Sequence, residues 1–148
     1  MIQRIQSLYL LLIAALIGVM FCHPLMWFAT EGNQLYLHAL ELTLNGVKVG
    51  DTPLYFPILL ALAALLPLVT ILLFKRRMLQ IRLCAAEAVL LVGILAMEAM
   101  LYWGPQALDA GGLQPASFAP VAGLLLVWLA ARAIFKDELL VRSLDRIR

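Results

Sequence analysis

Four long apolar segments restrict the folds that are available to this sequence. They cover residues 7–28, 53–74, 83–103 and 116–135. A helix needs about 20 predominantly apolar residues to cross about 30 Å of hydrocarbon, and each segment is long enough. Only 14% of the residues are charged, whereas a soluble domain carries about 25%. The sequence therefore predicts one integral membrane domain over residues 1–148, an all-α fold with a bundle of four transmembrane helices.

The positions of the positive charges predict how these helices are oriented. Every lysine and arginine except Lys48 lies before the first segment, between the second and third, or at and beyond the end of the fourth. Cytoplasmic segments of membrane proteins are enriched in these residues. We therefore expect both termini and the connection KRRMLQIR to be cytoplasmic.

The connection between the first two segments has the pattern of a β-hairpin, at about residues 35–50. Leucines alternate with polar residues in LHALELTL, and the Asn45-Gly46 dipeptide that follows favours a type I′ turn. The turn is expected to pair Leu44 with Val47 and Leu42 with Val49. The predicted apolar face consists of Leu40, Leu42, Leu44, Val47 and Val49. An isolated hairpin is marginally stable in water, so this face must pack on the helix ends, the lipid interface or a partner protein.

The last stretch, KDELLVRSLDRIR, keeps a helical period, with Leu140, Leu144 and Ile147 on one side. We expect residues 136–148 to extend the fourth helix as an amphipathic cytoplasmic helix. Arginines beside an apolar stripe favour contact with an anionic membrane surface. A docking helix for a cytoplasmic partner is the alternative.

Two glutamates interrupt the third apolar segment. Glu87 and Glu98 are 11 residues apart, and at about 100° per residue they lie on one stripe, about 16 Å apart along the axis. An ionised carboxylate at bilayer depth costs roughly 2.5–3.5 kcal/mol, so both are expected to face the bundle interior and either pair or stay protonated. Similar depth in the bilayer predicts Arg132 as the partner of Glu87 and His23 as the partner of Glu98. These four residues form the candidate polar site within the membrane.

The polar site supports two interpretations. In the first, the two glutamates form contacts between helices that stabilise the bundle, and the protein transports nothing. Alternatively, Glu87 and Glu98 would be stations on a path for protons or cations. Soft ligands near the outer end would suit Cu(I), although methionine is also an ordinary apolar filler, and we expect no metal or cofactor. This set of soft ligands consists of Met20, Cys22, His23, Met26, Met97 and Met100.

No spacing typical of a catalytic nucleophile, a phosphate-binding loop or a zinc site is present in the sequence. We therefore expect a non-enzymatic protein, an accessory or structural subunit of a larger envelope complex. The alternative is a small proton- or cation-coupled transporter or channel that uses Glu87 and Glu98. The expected partners are the lipid bilayer and other membrane subunits or a second copy of the chain, and no nucleic acid.

The two ends of the chain resemble those of a known family. The opening MIQRIQSLYLLL and the closing ARAIFKDELLVRSLDRIR are similar to the ends of small four-helix inner-membrane proteins from Bacteroidetes-type bacteria, the domain of unknown function 4293. The resemblance covers essentially the whole chain, including the helix spacing and the first outer loop. It implies the inner membrane of a bacterial cell and brings no established activity, substrate or cofactor.

Overall fold

The computed structural model describes residues 2–30, 33–73, 76–104 and 110–145. Its helices are α1 (Ile2–Cys22), α2 (Tyr55–Leu72), α3 (Arg77–Tyr102) and α4 (Ala119–Asp145), with a short 3₁₀ helix (Pro115–Phe118) before α4. Its strands are β1 (Met26–Thr30), β2 (Asn33–Leu37), β3 (Glu41–Leu44), β4 (Val47–Asp51) and β5 (Ala110–Leu113). All four α-helices have the length and composition of membrane-spanning helices.

Each helix buries one residue every three or four positions. The buried stripe of α1 consists of Gln6, Leu10, Ile13, Ile17 and Met20. The buried stripe of α3 consists of Gln80, Cys84, Glu87, Leu91, Ile94 and Glu98. This is the spacing of helices that pack side by side around a common axis. α1 and α3 each pack against both α2 and α4, so the four helices surround one core.

The five strands form one antiparallel sheet in the order β4-β3-β2-β1-β5. The sheet lies at the end of the bundle where α1 and α3 end and α2 and α4 begin. Its helix-facing side joins the core through Met26, Phe28 and Leu37. The Phe28 and Tyr102 rings are 6.2 Å apart, and the Tyr102 hydroxyl donates a hydrogen bond to the Gly111 carbonyl. The sheet therefore covers this end of the bundle.

The prediction of an all-α fold is wrong, because the sheet contains three strands besides the expected hairpin. The first apolar segment was expected to remain helical to residue 28, but α1 ends at Cys22. Pro24 disfavours helical conformation in the residue before it, and the chain enters β1 two residues later. The apolar residues of β1 continue the apolar run of α1, so hydropathy alone does not separate them.

The expected hairpin is present as β3 and β4, with one change of register. Asn45 and Gly46 have φ angles of 51° and 84°, and Leu44 pairs with Val47 as predicted. An irregularity in the pairing after Leu42 makes this residue pair with Gly50 instead of Val49. Val49 is therefore an extra residue in a β-bulge, which leaves it without a cross-strand partner.

The helical extension at the end of the chain is continuous with the fourth helix. α4 runs without interruption to Asp145, so the predicted extension is helical to this residue. Leu139 and Leu140 are about half exposed. The predicted apolar stripe also included Ile147, which lies outside the described residues.

Candidate functional site

Glu87 and Glu98 both lie on the buried stripe of α3. Their side chains are 1% and 5% exposed, respectively. The spacing of 11 residues matches the spacing of the stripe, so the prediction that both face the bundle interior is confirmed.

The predicted pair between Glu87 and Arg132 is wrong, first because Arg132 is on the other side of α4. The buried stripe of this helix passes through Ala130 and Ile134. Arg132 is two residues from Ala130, about 200° around the helix. Its guanidinium carbon lies 5.4 Å from the centroid of the Trp128 ring, on the exposed surface.

The second reason is that the two residues are at different depths. A Cβ added to Gly123 of α4 would lie 3.1 Å from Leu91 Cδ1 of α3. Arg77 at the start of α3 contacts Asp137 of α4. Because the two helices are antiparallel, both contacts place Glu87 level with Val127. The depth estimate from the sequence was therefore off by more than one helical turn.

The ion pair between α3 and α4 is formed by Arg77 and Asp137. Arg77 Nη2 lies 3.2 Å from Asp137 Oδ2, and Nη1 donates a hydrogen bond to the Asp137 carbonyl at 3.2 Å. The two side chains are 25% and 17% exposed. In the sequence, Arg77 is one of the positive charges that predict the cytoplasmic side, and nothing more was predicted for it. No sequence signal could have paired residues that are 60 positions apart.

His23 and Glu98 do not form the predicted contact within the described part of the chain. His23 is exposed, on a groove of about 550 Å³ between α1 and the start of α4. Glu98 is buried, and its Oε1 has no hydrogen-bond partner. The same register that places Glu87 beside Val127 places Glu98 level with Ala116.

Buried polar atoms without partners are concentrated at the two glutamates. Among the described residues, these atoms are Gln6 Nε2, both carboxyl oxygens of Glu87, and Glu98 Oε1. Most buried polar groups in proteins are hydrogen-bonded, and an unsatisfied one costs roughly 1–3 kcal/mol. An acidic residue held in a membrane helix bundle at such a cost is typical of a functional site.

Three buried polar residues near the far end of the bundle were missed by the sequence analysis. Gln80 Nε2 donates a hydrogen bond to the Thr70 carbonyl at 3.0 Å, and Thr70 Oγ1 donates to the Leu66 carbonyl at 2.8 Å. Gln6 lies one turn into α1 at this same end. Gln6, Thr70 and Gln80 are each at most 6% exposed. The available signal was that Gln80 continues the stripe of Glu87 and Glu98 toward the start of α3.

The soft ligands that were considered for copper differ in their exposure. Met20 and Met26 are fully buried in the core, whereas Cys22, His23 and Met100 are exposed. In the described part of the chain, no cluster of three or more His, Cys, Asp or Glu side chains could hold a metal ion.

The apolar hairpin face was predicted as a partner surface. The sheet partly buries two of its residues and leaves the other three exposed. Leu42 and Leu44 pair with Leu37 and Leu35 of β2, and they are partly buried. The other predicted members stay exposed: Leu40 at 58%, Val47 at 69% and Val49 at 61%. We call these three residues the edge patch, because Val47 and Val49 lie on β4, the last strand on its side of the sheet, and Leu40 directly precedes the neighbouring strand β3.

Charged side chains lie next to the edge patch. Lys48 Nζ is 2.5 Å from Asp51 Oδ1 and 3.9 Å from Glu41 Oε2. The hydrogen bond to Asp51 raises the pKa of the Lys48 ammonium, with a further contribution from the Asp51 charge. The patch therefore combines exposed apolar side chains with neighbouring charged side chains.

Four helices of membrane-spanning length, joined to a sheet at one end, are compatible with a multi-pass membrane protein. A family model described as Domain of unknown function (DUF4293) matches residues 2–147, and the chain belongs to this family. The family resemblance of the two chain ends is thereby confirmed. Comparison with curated proteins found no match.

Proposed function

We propose that the protein is a non-enzymatic accessory or structural subunit of a larger complex in the bacterial inner membrane. The observation that carries this proposal is the edge patch of Leu40, Val47 and Val49 on a sheet that is fixed to the helix bundle. Exposed apolar patches with a polar rim are typical of protein interaction sites. The partner is another membrane subunit or a second copy of the chain.

The sheet is joined to the helix bundle by hydrogen bonds on its β1 side. The Ser117 hydroxyl donates a hydrogen bond to the Leu25 carbonyl, and the Gln114 N–H donates to the same carbonyl at 2.8 Å. These bonds join the chain before β1 to the start of α4. Lys48 and the bulge at Val49 are features that prevent strand addition at a sheet edge. A partner therefore contacts the exposed side chains and does not extend the sheet.

The orientation of the proposed subunit follows from the charges at the opposite end of the bundle. Arg76, Arg77, Arg82 and Lys136 lie at the end away from the sheet. By the positive-inside rule, that end and both termini are cytoplasmic, and the sheet is on the outer side. The edge patch then meets its partner outside the cytoplasm.

Photo-cross-linking from single positions in intact cells tests the proposal. A photoreactive amino acid at Val47 should form a defined protein adduct, and Val49→Lys should abolish it. The matched control position is Val89 on α3, which is 71% exposed and should react only with lipid. No protein adduct from Val47, together with a monomer in mild detergent, would overturn the subunit proposal.

A second candidate function is proton- or cation-coupled transport through Glu87 and Glu98. It is favoured by the three buried carboxyl oxygens that lack hydrogen-bond partners. Leu91 and Ile94 are fully buried between the two glutamates, so transport would require these side chains to move. Glu98→Gln should then abolish a pH-dependent flux in liposomes. A wild-type protein that shows no flux with several ions and pH gradients would eliminate this candidate.

A further inference from the structure

We propose that Glu87 is a proton-binding site that water reaches from the end of the bundle away from the sheet. The site does not require flux across the membrane. The site is compatible with an accessory subunit. It would also be one of the two proton-binding residues that transport through Glu87 and Glu98 requires. Four features of the bundle core carry the inference.

The first feature is the position of Glu87 relative to α2. A Cβ added to Gly93 would lie 3.6 Å from Leu59 Cδ2, and Gln80 hydrogen-bonds to the Thr70 carbonyl. Because α2 and α3 are antiparallel, these contacts place Glu87 level with residues 63–64 of α2. Ala63 is fully buried and faces the same core.

The second feature is Pro67, which lies inside α2 and is buried. Proline has no N–H, so the carbonyl of Ala63 loses the donor that an uninterrupted helix would supply. A hydrogen-bond acceptor is thereby available in the core at the depth of Glu87. A protonated carboxyl group can donate to such an acceptor, whereas a carboxylate only accepts.

The third feature is the polar layer of Gln6, Thr70 and Gln80 between Glu87 and the end away from the sheet. Gln6 Nε2 is a buried donor without a partner, and the two oxygens of Glu87 are buried acceptors without partners. Buried water typically makes about three hydrogen bonds to polar groups that are otherwise unsatisfied. Water both accepts and donates, so it can bond to both an unpaired N–H and an unpaired carboxyl.

The fourth feature is the apolar core on the other side of Glu87. Toward the sheet, the next buried residues of α3 are Leu91 and Ile94, both 0% exposed. The facing stripe of α1 supplies Ile13 and Ile17, which are also buried. Among the described residues, no buried polar side chain that could hold water lies in this part of the core until Glu98. Proton access to Glu87 is therefore one-sided.

Few other titratable groups face Glu87. Cys84 precedes it by one turn on α3 and is buried. The buried residues that the structure describes on α2 and α4 include no acid or base at this depth. On α1, Tyr9 is partly buried and packs against the core. Arg77 and Asp137 are paired with each other near the start of α3, so a proton on Glu87 is the simplest way to neutralise its charge in the core.

Infrared difference spectroscopy in lipid membranes tests this site. A C=O stretching band of a protonated carboxyl group should be present and should disappear in Glu87→Gln. Transfer to D2O should shift this band within the mixing time. Gln6→Leu should slow the shift at least tenfold, whereas Gln34→Leu, a matched change on the exposed surface of the sheet, should leave it unchanged.

Three results would overturn the inference. A spectrum without a protonated-carboxyl band that depends on Glu87 would show that this side chain is ionised. An exchange rate that Gln6→Leu leaves unchanged would show that water does not reach Glu87 past the polar layer. Loss of the band on addition of sodium or potassium would show that the site binds a metal cation. None of these results depends on transport, so the site and the transport candidate can fail separately.

Discussion

Two glycines of β5 lie beneath aromatic side chains of β1. Trp27 pairs with Gly112 and Phe28 with Gly111. A Cβ on Gly112 would lie 2.5 Å from Trp27 Nε1, and a Cβ on Gly111 would lie 2.9 Å from Phe28 Cδ1. Glycine normally weakens a strand, and in a strand it often marks the close approach of another group. Here the missing side chains make room for both aromatic rings.

Gly112→Ala should therefore destabilise the protein by about 1–3 kcal/mol, because the Trp27 ring must move to admit the new methyl group. Thermal unfolding in detergent, followed by tryptophan fluorescence, measures the change. Gly50→Ala in β4 is the control, since a Cβ there would meet nothing within 4 Å. Equal effects of the two substitutions would show that the contact with Trp27 is not important.

The sequence predicted some residue contacts and not others, for identifiable reasons. The Asn45-Gly46 turn was predictable because its positive φ angles depend only on these two residues. The inward direction of Glu87 and Glu98 was predictable because it follows from helical spacing. Their partners were not predictable, because a contact between helices requires both the depth and the facing direction of the second helix. The estimate for Arg132 considered depth alone.

At the scale of whole elements, the helices were predicted better than the strands. Length and hydropathy indicate a membrane helix from local sequence. α3 begins at Arg77 and not near residue 83. The sequence did not indicate its first residues as helical, because the charged residues there resemble those of a loop. β5 has the sequence AGGL, which has little strand propensity. It pairs with β1 from a distant part of the chain, and local patterns do not contain that information.

The ion pair of α3 and α4 gives a prediction at this scale. Asp137→Asn and Arg77→Gln should each lower the free energy of unfolding by about 1–3 kcal/mol, since the pair is partly buried and includes a second hydrogen bond. The double variant should lose less than the sum of the two, with a coupling of at least about 0.5 kcal/mol. Chemical unfolding in mixed micelles provides these values.

Glu87 and Arg132 provide the contrasting cycle. Because they do not touch, Glu87→Leu and Arg132→Leu should have additive effects on the free energy of unfolding. A coupling energy as large as that of Arg77 and Asp137 would show that Glu87 and Arg132 do interact. It would contradict the observed register of α3 and α4.

At the scale of the whole molecule, the sheet and the paired Arg77 and Asp137 lie at opposite ends of one helix bundle. The positive charges predict that the end with Arg77 is cytoplasmic, and this stays a prediction. The hairpin predicted that the other end carries β-structure, and the sheet confirms this. The extent of that β-structure was not predictable, because the sheet is completed by segments on both sides of α2 and α3. We propose that the sheet and the start of α3 are on opposite sides of a membrane.

Labelling of single cysteines in intact cells tests this claim most directly. The native thiols are first removed by Cys22→Ser and Cys84→Ala, and a membrane-impermeant maleimide is then applied to variants with one new cysteine. Gln34→Cys on β2, at an exposed position outside the edge patch, should be labelled in intact cells. Leu139→Cys near the other end, about half exposed like many surface residues, should be labelled only after the membrane is permeabilised. Equal labelling of both variants in intact cells, or labelling of Leu139→Cys alone, would contradict the proposed arrangement in the membrane.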